Sequence, residues 1–407
     1  MHMQRYSMQR SLGTFRNPMV LDAAQSRVVK VSAKKTKRLT TLDDTLDDKG
    51  KRLQDIMSAL NTRFGAGTIV RLGETSYAPT ETIPSGCLPL DAALSGGYPV
   101  GRVVEIFGPE SSGKTTLALH AIAEAQKAGK STVFIDAEHA LDKQYAQALG
   151  VDTNKLLLVQ PDCGEQALEV ADQLARCGEI GMIVVDSVSA LVPRAELEGE
   201  IGTVTVGAQA RLMSSAMRKL CGSLHKGNTT MIFLNQIRMK VGVMYGNPEI
   251  TSGGNALKYY SSVRIDIRKK ENIMGEKGEV VGVKARAKVV KNKVGSPYRE
   301  ATFDIRFGFG IDELGALLDI AEQCGVVERK ASYYYFESEK LSQGRENAVI
   351  KIREDEGLQN RLKEAVRSKL ANGEVDVLAA DGSEEDDDPK AQLGPYDKGT
   401  EFDPVEA

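Results

Sequence analysis

The sequence predicts an α/β fold: a doubly wound, mainly parallel sheet, preceded by a helix–strand arm and followed by a small α+β domain. Three observations carry this. Apolar, β-branched runs at Val103–Phe107, Thr132–Ile135, Leu156–Val159, Met182–Val185 and Thr230–Leu234 alternate with segments of helical composition such as Thr115–Lys127 and Gly164–Arg176. That alternation is the mark of buried parallel strands joined by crossover helices. A loop of the form Gly-x-x-x-x-Gly-Lys-Thr stands between the first run and the first such helix. Later runs, Ser262–Arg268, Lys284–Val290 and Ala301–Phe307, lie too close together for crossovers, so the sheet should finish in antiparallel strands.

The 407 residues suit one large domain with smaller appendages. The expected segments are a basic extension (1–42), an N-terminal arm (43–75), the α/β core (76–311), a small C-terminal domain (312–372) and an acidic tail (373–407). A hydrophobic content of 41% fills a core, and no 18-residue apolar run exists to span a membrane. The net charge of -3 gives no global sign of nucleic acid, so any footprint must be a local stripe. Cys87, Cys163, Cys177, Cys221 and Cys324 are odd in number and scattered, without a CxxC pair. This argues against a disulfide framework or a zinc site and for a reducing compartment.

Residues 1–41 carry nine Arg or Lys and a single acid, Asp22. There is no apolar stretch of the secretory kind. An acid-poor, Arg- and Ser-bearing lead is the composition of organelle transit peptides, with a basic tail that stays attached as the alternative. From Asp43 the pattern reads as a helix and then a strand, Thr68–Leu72. Asp47 and Asp48 stand near the helix start, Leu53, Ile56, Met57 and Leu60 recur at helical spacing, and Gly65 and Gly67 stop it. So short an arm cannot bury its own apolar face and must dock elsewhere. At the other end, SEEDDDP (383–389) opens a solvated, self-repelling tail.

The loop reads Gly108, Pro109, Glu110, Ser111, Ser112, Gly113, Lys114, Thr115, with Thr116 following. Glycines let the backbone wrap phosphates, Lys114 reaches the β- and γ-phosphates, and the Thr115 hydroxyl can hold Mg²⁺. ATP with Mg²⁺ is therefore the expected ligand. Met182–Val185 ends in Asp186, placed to complete the Mg²⁺ shell. Thr132–Ile135 ends in Asp136-Ala137-Glu138, at the sheet edge where ligands sit, and Glu138 is the candidate base for the attacking water. Thr230–Leu234 leads into Asn235-Gln236, whose amide could sense the γ-phosphate.

Taken together, GPESSGKTTLALHAIAEAQKAG (108–129), FIDAEHALD (134–142), IVVDSVSALVPRAELEGEIG (183–202), FLNQIRMKVGVMYGNPEITSGGNALK (233–258) and KVVKNKV (288–294) resemble the RecA recombinase family, from Asp43 to about Leu370. The resemblance implies a P-loop RecA-type ATPase core. It also implies that Asp142 and Tyr145 hold adenine, that Glu138 is the catalytic glutamate and that Gln236 couples ATP to a DNA-binding loop. Lys291 and Lys293 would reach the γ-phosphate of the adjacent subunit, with Lys258 and Tyr259 at the same border. The implied activity is ATP-dependent pairing and strand exchange on single- and double-stranded DNA by a helical homo-oligomer. Single-strand-binding and loader proteins are implied further partners.

Two segments should meet DNA: Glu198–Gly207 with the following Arg211 and Arg218, and Arg238–Gly254. The second holds Arg238, Lys240, Val241, Gly242, Met244, Gly253 and Gly254, cations and apolar side chains on a flexible backbone that suits single strands. The competing reading is a lid over ATP. Thr203-Val-Thr-Val, Tyr98 and the Tyr333-Tyr-Tyr run depart from the family's usual residues. The sequence looks most like cyanobacterial and plastid members, which implies the plastid stroma, with a mitochondrion or a bacterial cytoplasm as alternatives. Rival functions are a signalling scaffold for repressor self-cleavage, a ring helicase and a RadA-like protein. The last would carry an N-terminal zinc cluster that is missing from this sequence.

Overall fold

The computed structural model describes residues 34–71, 80–200, 207–240, 246–275 and 277–371, with side chains from Lys49 to Leu370 within those spans. Contacts divide the chain into two units, one ending at Ala78 and the other beginning at Pro79.

In the first unit, α1 (Lys34–Phe64) begins nine residues before the expected start, so Asp47 and Asp48 lie inside the helix. No strand forms over 68–71, and Leu72 lies outside the described residues. A strand needs a partner for its backbone groups, and here a side chain supplies one. The Asn61 amide donates to Ile69 O (3.0 Å) and accepts from Ile69 N (2.9 Å), holding one residue of the returning chain against the helix. Leu53, Ile56, Phe64 and Val70 remain exposed.

The second unit opens with β1 (Thr82–Ile83), α2 (Leu88–Leu94) and β2 (Tyr98–Pro99), the two strands pairing antiparallel. There follow β3 (Val103–Gly108), α3 (Lys114–Lys127), β4 (Ser131–Asp136), α4 (Lys143–Ala148), β5 (Leu156–Val159), α5 (Gly164–Cys177) and β6 (Ile180–Asp186). After a 3-10 turn at Val188–Ala190 come α6 (Arg194–Leu197), α7 (Ala208–Gly227), β7 (Thr230–Met239), β8 (Glu249–Thr251) and α8 (Ala256–Tyr260). The strands β9 (Val263–Met274), β10 (Val280–Asn292), β11 (Glu300–Arg306) and β12 (Gly310–Ile311) close the core.

The main sheet has the order β12-β11-β10-β9-β3-β7-β6-β4-β5. Strands β5, β4, β6, β7, β3 and β9 are parallel, and β9 to β12 are antiparallel. One apolar layer packs α2 and α3 on one face, and a second packs α5 and α7 on the other. Buried on both faces, β3, β4 and β6 could only be written as continuous apolar runs. Glu105 is the exception within β3. Its carboxylate is fully buried but accepts from Asn235 Nδ2 (2.9 Å) and Arg264 Nε (2.5 Å), so the charge is paired.

Beyond the core, α9 (Glu313–Gln323), β13 (Val327–Lys330), β14 (Tyr333–Phe336), β15 (Glu339–Gln343), α10 (Arg345–Glu354) and α11 (Glu356–Ala371) make the small α+β domain. Tyr334 and Phe336 point into its core, which also takes Leu88 and Ala92 of α2. Arg345 clamps Asp319 through two bonds (2.9 and 2.8 Å) and lies 3.7 Å from Asp304 of β11, joining this domain to the sheet.

His120 of α3 is buried, and its Nε2 accepts the Ile311 N–H at 3.0 Å. Burial, with Lys127 nearby, holds its pKa down from 6.5 to about 4. Below pH 6.5 the unfolded chain takes up a proton that the folded chain refuses, so stability falls as pH drops from 6.5 toward 4. The loss attributable to His120 should reach about 2 kcal/mol at pH 5. Urea denaturation at pH 7 and pH 5 should show that extra drop in the wild type but not in His120→Asn.

Candidate active site

The loop between β3 and α3 is closed tightly enough that only glycine fits at two places. A Cβ on Gly108 would lie 2.1 Å from Ile267 O, and one on Gly113, where φ is +96°, would lie 2.4 Å from Ile305 Cδ1. The first N–H groups of α3 have no partner inside the helix and carry its positive dipole end, which makes the loop an anion cradle. Ser112 Oγ is buried without a hydrogen-bond partner, an orphan that a phosphate oxygen would satisfy. Lys114 Nζ donates to Gly108 O (3.1 Å) and Pro109 O (2.5 Å), bent back over the loop mouth, and burial lowers its pKa.

At the same edge, Thr115 Oγ1 donates to Asp186 Oδ2 at 2.7 Å. Burial raises the Asp186 pKa to about 6, with Glu138 and Asp136 adding like charge. A cation at this hydroxyl and carboxylate would offset that cost, and both are the hard oxygen donors Mg²⁺ prefers. Among the described residues no group of three or more His, Cys, Asp or Glu is arranged to hold a metal alone.

Sheet register brings the other residues to the same edge, with Gly108 opposite Gln236 and Asp136 opposite Asp186. Buried Asp136 accepts from Ala140 N (3.1 Å), Leu141 N (3.3 Å) and Gln160 Nε2 (3.3 Å), which fixes the turn after β4. Glu138 projects from that turn, and its Oε1 accepts from Ser187 Oγ and from Gln236 Nε2 (3.3 Å). The Asp186–Ser187 peptide is cis. Asp142 caps α4, accepting from Gln144 N (2.7 Å) and Tyr145 N (3.2 Å), and the Tyr145 hydroxyl meets Thr116 Oγ1 at 2.8 Å.

Sequence reasoning missed Ser187, the residue that follows Asp186. Its buried hydroxyl donates to Glu138 Oε1.

Lys291 and Lys293 lie toward the opposite edge. Asn292 pairs with Val263 and Lys291 with Arg264, while Arg264 pairs with Glu105 of β3. Lys291 is thus level with Glu105, roughly 10 Å of strand short of Gly108, with β9 between. Its Nζ donates to Lys258 O (2.7 Å) and Tyr259 O (3.1 Å) at the end of α8, and burial, with Lys293 and Arg264 nearby, lowers its pKa. Lys258, Tyr259 and Lys293 are exposed at that edge.

The segment 238–254 is less loop-like than its composition suggests. β7 runs on to Met239 and pairs with β8, Ile237 opposite Thr251 and Met239 opposite Glu249, with Lys240 N donating to Pro248 O (2.9 Å). Arg268 clamps Glu249 and Asp266 beneath this ribbon. Arg238 and Lys240 are exposed on it, whereas Val241, Gly242 and Met244 lie outside the described residues, as do 201–206. Gly253 is buried and needed for packing, since a Cβ there would lie 2.9 Å from Val188 Cγ1; Gly254 likewise abuts Ala210. Arg211 and Arg218 are exposed two turns apart on one face of α7.

A parallel sheet with a phosphate loop, a strand-end aspartate and a glutamate at one edge defines the P-loop ATPase class. Profiles for the RecA N-terminal domain and the RecA C-terminal domain match residues 51–312 and 315–371. Proteins named Protein RecA are similar over most of the chain. That of Crocosphaera subtropica is 52% identical over 84% of this chain and 98% of its own length. That of Gloeobacter violaceus is 54% identical over 84% and 92%, and that of a Picosynechococcus species 55% over 79% and 93%. The chain belongs to the RecA family.

Proposed function

We propose that this protein is an ATP-dependent DNA recombinase that assembles head to tail into helical filaments on single-stranded DNA. The observation that carries the reading is the separation of Lys291 and Lys293 from the phosphate loop of their own chain. Two cations at the far edge of a sheet whose near edge holds the triphosphate suit a neighbour's nucleotide, as a finger supplied in trans. A contact between unlike edges does not close on itself, so it propagates as a helix. The exposed Leu53, Ile56, Phe64 and Val70 of one protomer would find apolar cover on the next. There β5 is a sheet edge, with Leu157 and Leu158 exposed.

ATP would lie with its phosphates in the 108–115 loop, Mg²⁺ on Thr115 and Asp186, and its base against Asp142 and Tyr145. Gln236 is the last residue of the sheet before the ribbon carrying Arg238 and Lys240. A γ-phosphate that draws the Gln236 amide would therefore act on the DNA-facing ribbon directly. Arg211 and Arg218 add backbone-binding charge, and holding backbone rather than bases leaves recognition to base pairing.

Electron microscopy with a non-hydrolysable ATP analogue and single-stranded DNA tests this. Open helical filaments are expected, and closed rings would favour a hexameric motor instead. Lys114→Ala should remove the filaments, because losing one charge-assisted donor costs about tenfold or more in nucleotide affinity. Among the described residues no helix is long and apolar enough to cross a membrane. The basic lead and the cyanobacterial relatives support a plastid location. A fluorescent fusion of residues 1–60 should concentrate in plastids, and a diffuse signal would refute import.

A further inference from the structure

Glu138 presents its two carboxylate oxygens to different surroundings. Oε1 accepts from Ser187 Oγ and from Gln236 Nε2 (3.3 Å), while among the described residues Oε2 accepts nothing. Ser187 is 1% exposed, so water cannot easily replace it. Its hydroxyl oxygen also lies 2.6 Å from Ser189 Oγ. A serine has one proton to give. With that proton directed at Glu138, the second contact must be donated by Ser189, and the chain runs Ser189 O–H to Ser187 O–H to Glu138 Oε1.

We propose that Ser187 and Ser189 are positioning residues for Glu138, a two-hydroxyl chain that pins Oε1 and leaves Oε2 aimed at the attacking water. The proposal rests on Glu138 being the base. Each hydrogen bond in such a chain polarises the next, so Ser189 strengthens the grip of Ser187. The placement follows from the fold. β6 delivers Asp186 toward the metal and Ser187 toward the base in successive residues, and the turn at Val188–Ala190, closed by Ala190 N to Ser187 O (3.1 Å), folds Ser189 back.

The two donors on Oε1 then have different fates. Gln236 is the exchangeable one, drawn away when a γ-phosphate arrives. The serine chain stays, so the carboxylate keeps its aim when Gln236 leaves. In the step itself the water proton passes to Oε2, the water oxygen bonds to the γ-phosphorus, and ADP departs with the electrons of the broken P–O bond. Both serine protons remain where they were.

The test is steady-state ATPase on single-stranded DNA with Ser187→Ala, Ser189→Ala and Ser187→Thr, alone and on a Glu138→Gln background. Ser187→Ala should lower kcat about tenfold, the worth of one charge-assisted hydrogen bond, with KM for ATP within about twofold. Ser189→Ala, at a partly exposed site less able to disturb folding, should lower kcat about threefold by the same route. Ser187→Thr should recover most of the lost rate. On the Glu138→Gln background Ser187→Ala should cost nothing further, because the partner it positions is already gone.

Unchanged kcat in both alanine variants, a change confined to KM, or an equal loss on the Glu138→Gln background would overturn the positioning role. The base reading would survive those results so long as Glu138→Gln itself is slow. A Glu138→Gln enzyme at the wild-type rate would remove the base reading and this proposal with it.

Discussion

Glu138→Gln should lower the DNA-stimulated kcat by about 10²- to 10⁴-fold, the range for loss of a positioned general base, while leaving nucleotide and DNA binding in place. The amide matches the carboxylate in size and can still accept from Ser187 through its oxygen, so the turn after β4 need not move. Asp136, not Glu138, accepts the backbone N–H groups that shape that turn. Lys114, Thr115 and Asp186 are untouched, and Asp186 loses a like-charged neighbour that helps raise its pKa. The metal site should therefore be no weaker. Equilibrium binding of a fluorescent ATP analogue together with single-turnover hydrolysis separates the two effects: affinity within about threefold of wild type, and chemistry slowed by orders of magnitude. A variant that lost binding and rate in proportion would move Glu138 from chemistry to nucleotide retention. Filaments of this variant should persist after free ATP is removed, because the step that releases Gln236 is blocked.

What could be read ahead of the structure divides along a physical line. Strands β3, β4 and β6 are buried on both faces, and their runs of Val and Ile declare that directly. The glycine spacing of the β3–α3 loop is legible in the sequence, and in the structure a Cβ on Gly108 would meet Ile267 O and one on Gly113 would meet Ile305 Cδ1. Elements held by particular partners, and not by an apolar run of their own, were not legible. β7 outruns its apolar stretch into Asn235-Gln236-Ile237-Arg238-Met239, because β8 offers it a second antiparallel ladder outside the core. The helix before Asp43 lacks the apolar spacing that would have announced it. Glu105 and Arg264 are 159 residues apart, and only register brings them together. The same holds for Ser187 on Glu138. A serine after a strand-end aspartate carries no sign of which carboxylate it will hold. Lys291 illustrates the limit best, since its motif indicates chemistry but its edge of the sheet depends on how β9 and β10 pair.

That edge gives the prediction with the widest reach. Lys291→Ala should reduce DNA-dependent ATPase by about 10³-fold, toward the lower end of what a trans-acting cation contributes to phosphoryl transfer. ATP binding to an isolated protomer should barely change, because Lys291 is separated from its own loop by β9 and roughly 10 Å of strand. The loss of rate should come with a loss of cooperativity in ATP, since the residue acts only between protomers. Mixing makes the geometry decisive. Glu138→Gln protomers keep Lys291, and Lys291→Ala protomers keep Glu138. In an equal mixture about a quarter of head-to-tail contacts would pair an intact Glu138 with an intact Lys291 from the neighbour. Two nearly inactive proteins should then recover about a quarter of the wild-type ATPase when combined on single-stranded DNA. If Lys291 served its own nucleotide, no contact in the mixture would be complete and the rate would stay at the average of the two parents. The recovered activity should also fall when one mutant is held in large excess. Complete contacts depend on both kinds of protomer being adjacent, and their number passes through a maximum near equal proportions.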